Sequence, residues 1–121
     1  MLIFTEPIDI LKGVTYEHAF YFVSNDRTPV DPSPYTPYLQ IESSSGIRPN
    51  RLDLSEFLDV ETLKDQGIVL LTLTTSFTSN MDSIRGHYDL LLAKDGGDTV
   101  YKICGGKVTT QESISRVVMD A

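Results

Sequence analysis

The sequence predicts an all-β fold, an antiparallel β-sandwich of six to eight strands with at most one short helix. Three observations carry that reading. Short segments of alternating apolar and polar residues recur along the chain. Clusters of glycine, proline, asparagine, aspartate and serine separate them. Apolar residues at helical spacing are confined to one brief stretch. Two packed sheets bury such strands most naturally, and a small barrel is the competing closure.

Ile8-Asp9-Ile10-Leu11 is a first short strand, ended by Lys12-Gly13. Tyr16 to Val23 is the second, rich in aromatics that suit a pleated, half-buried surface. Within it Tyr16, His18, Phe20 and Phe22 share one face, and Glu17, Ala19, Tyr21 and Val23 the other. Ser24-Asn25-Asp26-Arg27 reads as a turn. Pro29, Pro32, Pro34 and Pro37 follow. Proline has no N–H to give a ladder, so this stretch is no central strand. It reads as an ordered crossover or a loop hugging a sheet edge, with a disordered linker as the alternative. Tyr38-Leu39-Gln40-Ile41-Glu42 then alternates, with Leu39 and Ile41 toward the core.

Residues 43–67 are the least regular part. Ser43-Ser44-Ser45-Gly46 is a loop signal. Leu54, Phe57 and Leu58 are spaced for one helical turn, with Ser55 or Asp53 as cap, and the acids around them read as a solvated face. Ile68 to Thr74 is the strongest strand and is partly apolar on both faces, which suits a central strand or one covered by a partner. Ser76 to Arg85 is a connection whose Phe77, Met81 and Ile84 tuck under the sheet. Gly86 to Leu92 is a strand with Tyr88, Leu90 and Leu92 inward. Asp95-Gly96-Gly97-Asp98 is a hairpin turn, because glycine supplies the positive φ such turns need. Thr99 to Cys104 returns, Gly105-Gly106 allows a kink or bulge, and Lys107 to Thr110 continues.

The 121 residues include 10 basic and 17 acidic ones, a formal net charge of −7. That length suits one domain over residues 1–121. The acidic balance argues against nucleic acid as a partner, since phosphates are neutralised by clustered Lys and Arg. No apolar run approaches the roughly 20 residues of a membrane-spanning helix, so no membrane is expected either. Met1 to Glu6 lacks a basic start and meets acids early, so a secretory signal is not expected. The single Cys forms no internal disulfide and no Cys-based zinc site, which points to a reducing compartment.

The sequence holds few residues in patterns that support catalysis. His18 and His87 are the only histidines, and each reads as a strand residue with a hydrogen-bonded or half-exposed ring. No nucleophile elbow, phosphate loop, dinucleotide fingerprint or His-rich metal motif is present. Cys104 reads as a small buried hydrophobe. The acids of residues 53–65 lack the spacing and glycine of a calcium loop. No catalytic residue, cofactor or metal is therefore expected, and the chain reads as no enzyme; a hydrolase using two carboxylates is a third reading with no motif to support it.

Surface remains. Open sheets expose strand edges that pair with other chains unless blocked. Two apolar segments are candidate docking arms, at residues 1–6 with Leu2, Ile3 and Phe4, and at residues 112–121 with Val117, Val118 and Met119. Each arm alternatively folds back as an edge strand of its own domain. Tyr35 and Tyr38 in the proline-rich stretch are further contact candidates, since tyrosine is enriched at interfaces.

The order of elements resembles a class of small tailed-bacteriophage structural proteins with an immunoglobulin-like sandwich. The matching elements are Thr28-Pro29-Val30-Asp31, the strand 38–42, the glycine-led strand 67–73, Gly86-His87-Tyr88-Asp89-Leu90, the turn 95–98, Gly106-Lys107-Val108-Thr109 and Glu112-Ser113-Ile114-Ser115-Arg116. The likeness spans residues 14–116. The proline run and the acidic 43–67 segment depart from the pattern. The resemblance implies a virion building block of a tail, neck, fibre attachment or capsid surface, assembled in the host cytoplasm. Its implied partners are copies of itself and other virion proteins, with no catalytic residues. The alternative is a carbohydrate- or receptor-binding module whose platform is Tyr16, Tyr21 and Tyr38.

Overall fold

A computed structural model describes residues 1–43 and 50–112. Its described residues form nine strands: β1 (Phe4–Thr5), β2 (Ile8–Lys12), β3 (Tyr16–Tyr21), β4 (Thr36–Ser43), β5 (Asn50–Asp53), β6 (Leu58–Asp59), β7 (Ile68–Leu73), β8 (Arg85–Lys94) and β9 (Thr99–Glu112). The count exceeds the expected six to eight because β1 and β6 are two-residue strands. One five-residue α-helix, α1 (Thr75–Ser79), lies where the sequence suggests only a connection. Thr74 caps it by accepting the Phe77 N–H. The helical turn expected near Leu54 is a 3₁₀ turn, Ser55–Phe57, and Asp53 Oδ1 accepts the Ser55 N–H at 2.9 Å beside it.

The strands make two sheets rather than one closed barrel. The larger runs β1-β9-β8-β4-β5 with β2 also on β9, and the smaller runs β3-β7-β6. Antiparallel pairing fails at one edge: β1 and β2 both run parallel to β9. The fourteen residues of β9 are long enough to seat both in one line on the edge that β8 leaves free. Phe4 lies opposite Cys104 and Ile8 opposite Val108. Between the two strands Glu6 still donates its N–H to Gly105 O at 3.0 Å, but Pro7 has none to give. Gly106 admits the bend, since a Cβ there would sit 2.3 Å from Glu6 O. Within the first of the two candidate arms, Phe4 and Thr5 are thus edge strand of the larger sheet. The second, with Val117, Val118 and Met119, lies outside the described residues, as does most of the Ser43 to Gly46 loop.

The apolar alternation places the core as read. Leu39 and Ile41 of β4, Leu90 and Leu92 of β8, and Val69, Leu71 and Leu73 of β7 are buried, together with Tyr88. Phe20 of β3 lies beside Val69 in the smaller sheet, Phe22 follows just past the end of β3, and all belong to one cluster. β7 is the central strand of its sheet, which explains its two apolar faces. Met81 and Ile84 are buried, while Phe77 is half-buried with its ring 4.6 Å from that of Phe57. The hairpin turn is left-handed at Asp95, Gly96 and Gly97. The bulge falls slightly before its expected site: Leu90 pairs with Cys104 but Leu91 with Lys102, so Ile103 is the extra residue.

The proline-rich stretch is an ordered crossover between the sheets. Val30 donates to Phe22 O at 2.9 Å, and Tyr35 to Pro32 O at 2.9 Å. Pro37 lies inside β4, yet loses no bond. Leu39 donates to Ser55 Oγ and accepts from Leu54, so odd-numbered residues of β4 point toward the β5 side. β5 begins pairing only at Gln40, which leaves Pro37 on open edge.

Candidate functional site

Two regions hold the residues that sequence and geometry single out: the outer face of the larger sheet, and a polar junction where the N-terminal edge meets β3.

On the outer face, strand alternation turns Tyr38 out as it turns Leu39 in. Tyr38 is 44% exposed and stands opposite Leu91, and Val100 nearby is 50% exposed. With Thr36, Pro34 and the hairpin glycines they line an open hollow of about 570 Å³. A second hollow, about 440 Å³, continues along the same face past Gln40, Asp89 and Lys102. A third, about 660 Å³, opens between α1 and the β4–β5 end over Leu52, Phe57, Phe77 and Met81.

The other contact candidates divide. Leu2 donates its N–H to Val23 O at 3.1 Å, which ties the start of the chain to the segment just past the end of β3. Phe4 packs against the core, and Ile3 is 62% exposed. Tyr35 is committed internally: its ring meets Phe22 edge-on at 5.2 Å and Tyr101 at 6.1 Å, with Lys94 Nζ 5.3 Å from its centroid. Among the described candidates, Ile3 and Tyr38 are therefore the two that present most apolar surface. Tyr16, Tyr21 and Tyr38 form no common platform. Tyr16 and Tyr21 lie on opposite faces of β3, and Tyr38 is on the other sheet.

The polar junction was not visible in any motif. Glu6 Oε2 lies 2.6 Å from His18 Nε2, and the Tyr16 hydroxyl lies 2.9 Å from His18 Nδ1. Tyr88 donates its hydroxyl to Glu6 O at 2.7 Å and lies 3.1 Å from Cys104 Sγ. Burial, with the charges of Asp9 and Glu6 behind it, pushes the Tyr16 phenol up to about 12. Burial also pushes up Tyr88 and the Cys104 thiol. The hydroxyls and the thiol thus stay protonated at neutral pH, which makes them weak nucleophiles. Of the junction residues only Tyr88 borders one of the three hollows, the one of about 440 Å³; Glu6, Tyr16, His18 and Cys104 line none of them. The junction's geometry serves to hold the two sheets together. His87, by contrast, is on the exposed side of β8.

Several acids of the irregular regions form turns. Asp31 Oδ1 accepts from Ser33 N at 2.8 Å, and Asp59 Oδ1 from Glu61 N at 2.8 Å. Hydrogen bonds from the Thr62 hydroxyl and nearby N–H groups hold the Asp59 carboxyl below the usual range. Among the described residues no three His, Cys, Asp or Glu side chains are grouped to hold a metal ion. Among them, too, no helix is long and apolar enough to cross a membrane.

No family model matches this sequence, and no curated protein matches it.

Proposed function

We propose that this chain is a non-enzymatic structural component of a bacteriophage virion, an immunoglobulin-like β-sandwich acting through contacts with copies of itself and with other virion proteins. It belongs to the tail, neck, fibre attachment or capsid surface, assembled in the host cytoplasm. The order of sequence elements suggests the class, and the mostly β architecture in two sheets is consistent with it. The observation that carries the reading is the outer face of the larger sheet. Tyr38 and Val100 stand exposed there, on a sheet whose last strand, β5, has no further strand beside it among the described residues. Apolar surface beside an unpaired edge is what strand-adding assembly uses. Many modest contacts then add up in a symmetric particle. The carbohydrate-binding alternative draws no support from the separated positions of Tyr16, Tyr21 and Tyr38.

The test is particle incorporation. Tyr38→Ser, Val100→Ser and Ile3→Asp change exposed side chains and should leave the circular dichroism spectrum intact. At least one is expected to reduce the copies found in purified particles. Folded variants that all assemble at the normal level, or binding of the wild-type chain to glycans in an array, would reverse the reading.

A further inference from the structure

We propose that two copies of this chain pair through the open edge of β5, continuing the larger sheet across a two-fold axis at Leu52. The inference rests on the assembly reading above and names its first partner, a second copy.

In an antiparallel pair, successive residues point their N–H and C=O groups alternately to one side and the other. Leu39 accepts from Leu54, and Ile41 lies opposite Leu52, so Leu52 and Leu54 point their backbone groups at β4. Arg51 and Asp53 therefore point theirs away, to the edge where the described residues provide no strand. Both side chains are on the exposed face, while Leu52 is partly buried against the core.

A two-fold axis at Leu52 makes that edge complementary to itself. Arg51 then lies opposite Asp53 of the second copy, and Asp53 opposite its Arg51. Each such pair exchanges both N–H···O=C bonds, because these are the residues whose backbone faces outward. The same register sets guanidinium against carboxylate twice over. Arg51 already lies 3.6 Å from Glu42 on the neighbouring strand. Across the joined sheet the exposed row reads Glu42, Arg51, then Asp53 and Gln40 of the second copy, with opposite charges adjacent. A register with Arg51 on Arg51, or Asp53 on Asp53, opposes like charges and is disfavoured. Exposed ion pairs add little affinity, so the charges choose the register and the backbone bonds supply the pairing.

Two other edges fit less well. β6 is two residues long. The end of β2 leads into a bend held by α1, where Gly13 donates to Thr78 Oγ1 and Thr78 to Val14 O.

Sedimentation velocity on the full chain over a concentration series tests this. The wild type is expected to show a monomer–dimer equilibrium. Arg51→Asp, a surface change, should weaken it about tenfold by opposing like charges twice. Arg51→Pro removes an outward N–H without touching the β4 ladder and should abolish the dimer. Leu52→Cys should oxidise to a disulfide-linked dimer, since the two introduced thiols would meet at the axis within bridging distance. A wild type that stays monomeric at millimolar concentration overturns the proposal. So does a dimer indifferent to Arg51→Asp and Arg51→Pro, or a Leu52→Cys chain that never cross-links. A chain that dimerises in this way but never enters a particle defeats the virion reading and leaves the dimer standing. A chain that enters particles with β5 unpaired defeats the dimer alone.

Discussion

His18 Nε2 lies 2.6 Å from Glu6 Oε2, so the bend between β1 and β2 is tied by a side chain to the middle of β3 in the other sheet. The second ring nitrogen faces the Tyr16 hydroxyl, and the ring itself lies 4.4 Å from Phe20. With both nitrogens engaged and one face packed, the imidazole is held in place. This clamp and the Leu2–Val23 bond fasten the N-terminal edge to β3 and the segment just past its end.

His18→Ala removes the partner of two polar groups together with a packed ring. It is expected to cost about 1–3 kcal/mol in urea denaturation followed by circular dichroism. Glu6→Gln keeps a hydrogen-bonding oxygen and should cost clearly less. Equal losses for the two variants would mean that the junction is not the clamp described.

The Tyr16 phenol supplies a pH test. Its folded value of about 12 lies above the ordinary 10.0. A group raised on folding adds stability that is complete below the unfolded value and is lost as pH climbs through the folded one. Stability should therefore fall between pH 10 and about 12. The phenolate absorbance of wild type minus that of Tyr16→Phe should have its midpoint near 12; a midpoint near 10 contradicts the burial.

Asp59 gives the opposite sign. Its carboxyl is held below the ordinary 3.8, chiefly by the Thr62 hydroxyl. The stability that this adds is present above 3.8 and disappears as pH falls through the lower folded value. Asp59→Asn should lower the melting temperature at neutral pH, and the gap from wild type should close as the solution is acidified well below 3.8. A gap that stays constant with pH would show that the charge plays no part.

Gly86 of β8 leaves no room for a side chain against β4. A Cβ there would lie 2.0 Å from Glu42 O and 2.9 Å from Ser43 Cα, both backbone atoms of a paired strand. Gly86→Ala should cost about 3 kcal/mol. Gly96→Ala meets nothing within 4 Å and strains only a left-handed φ of +68°, so about 1 kcal/mol is expected. Urea midpoints of the two variants compare them directly.

What the residues determined by themselves was local. Leu39 and Ile41 inward, Tyr38 outward, Tyr88, Leu90 and Leu92 buried, and the turn at Asp95 to Gly97 all follow from period-2 alternation and the φ angles that glycine permits. Those are properties of neighbouring residues, so the sequence carries them openly. Half of the candidate surface was legible in this way, because an exposed Tyr38 is the other side of a buried Leu39. Tyr35, in a loop, has no alternation to aim it, and only the fold turned it onto Phe22 and Tyr101. Tertiary structure alone decided that β1 and β2 lie parallel on β9, that Glu6 meets His18, and that β5 ends a sheet with Arg51 and Asp53 facing outward. Phe4 and Cys104 are neighbours although most of the chain lies between them, and no short window of sequence records which strand edge is left free for a distant segment to fill.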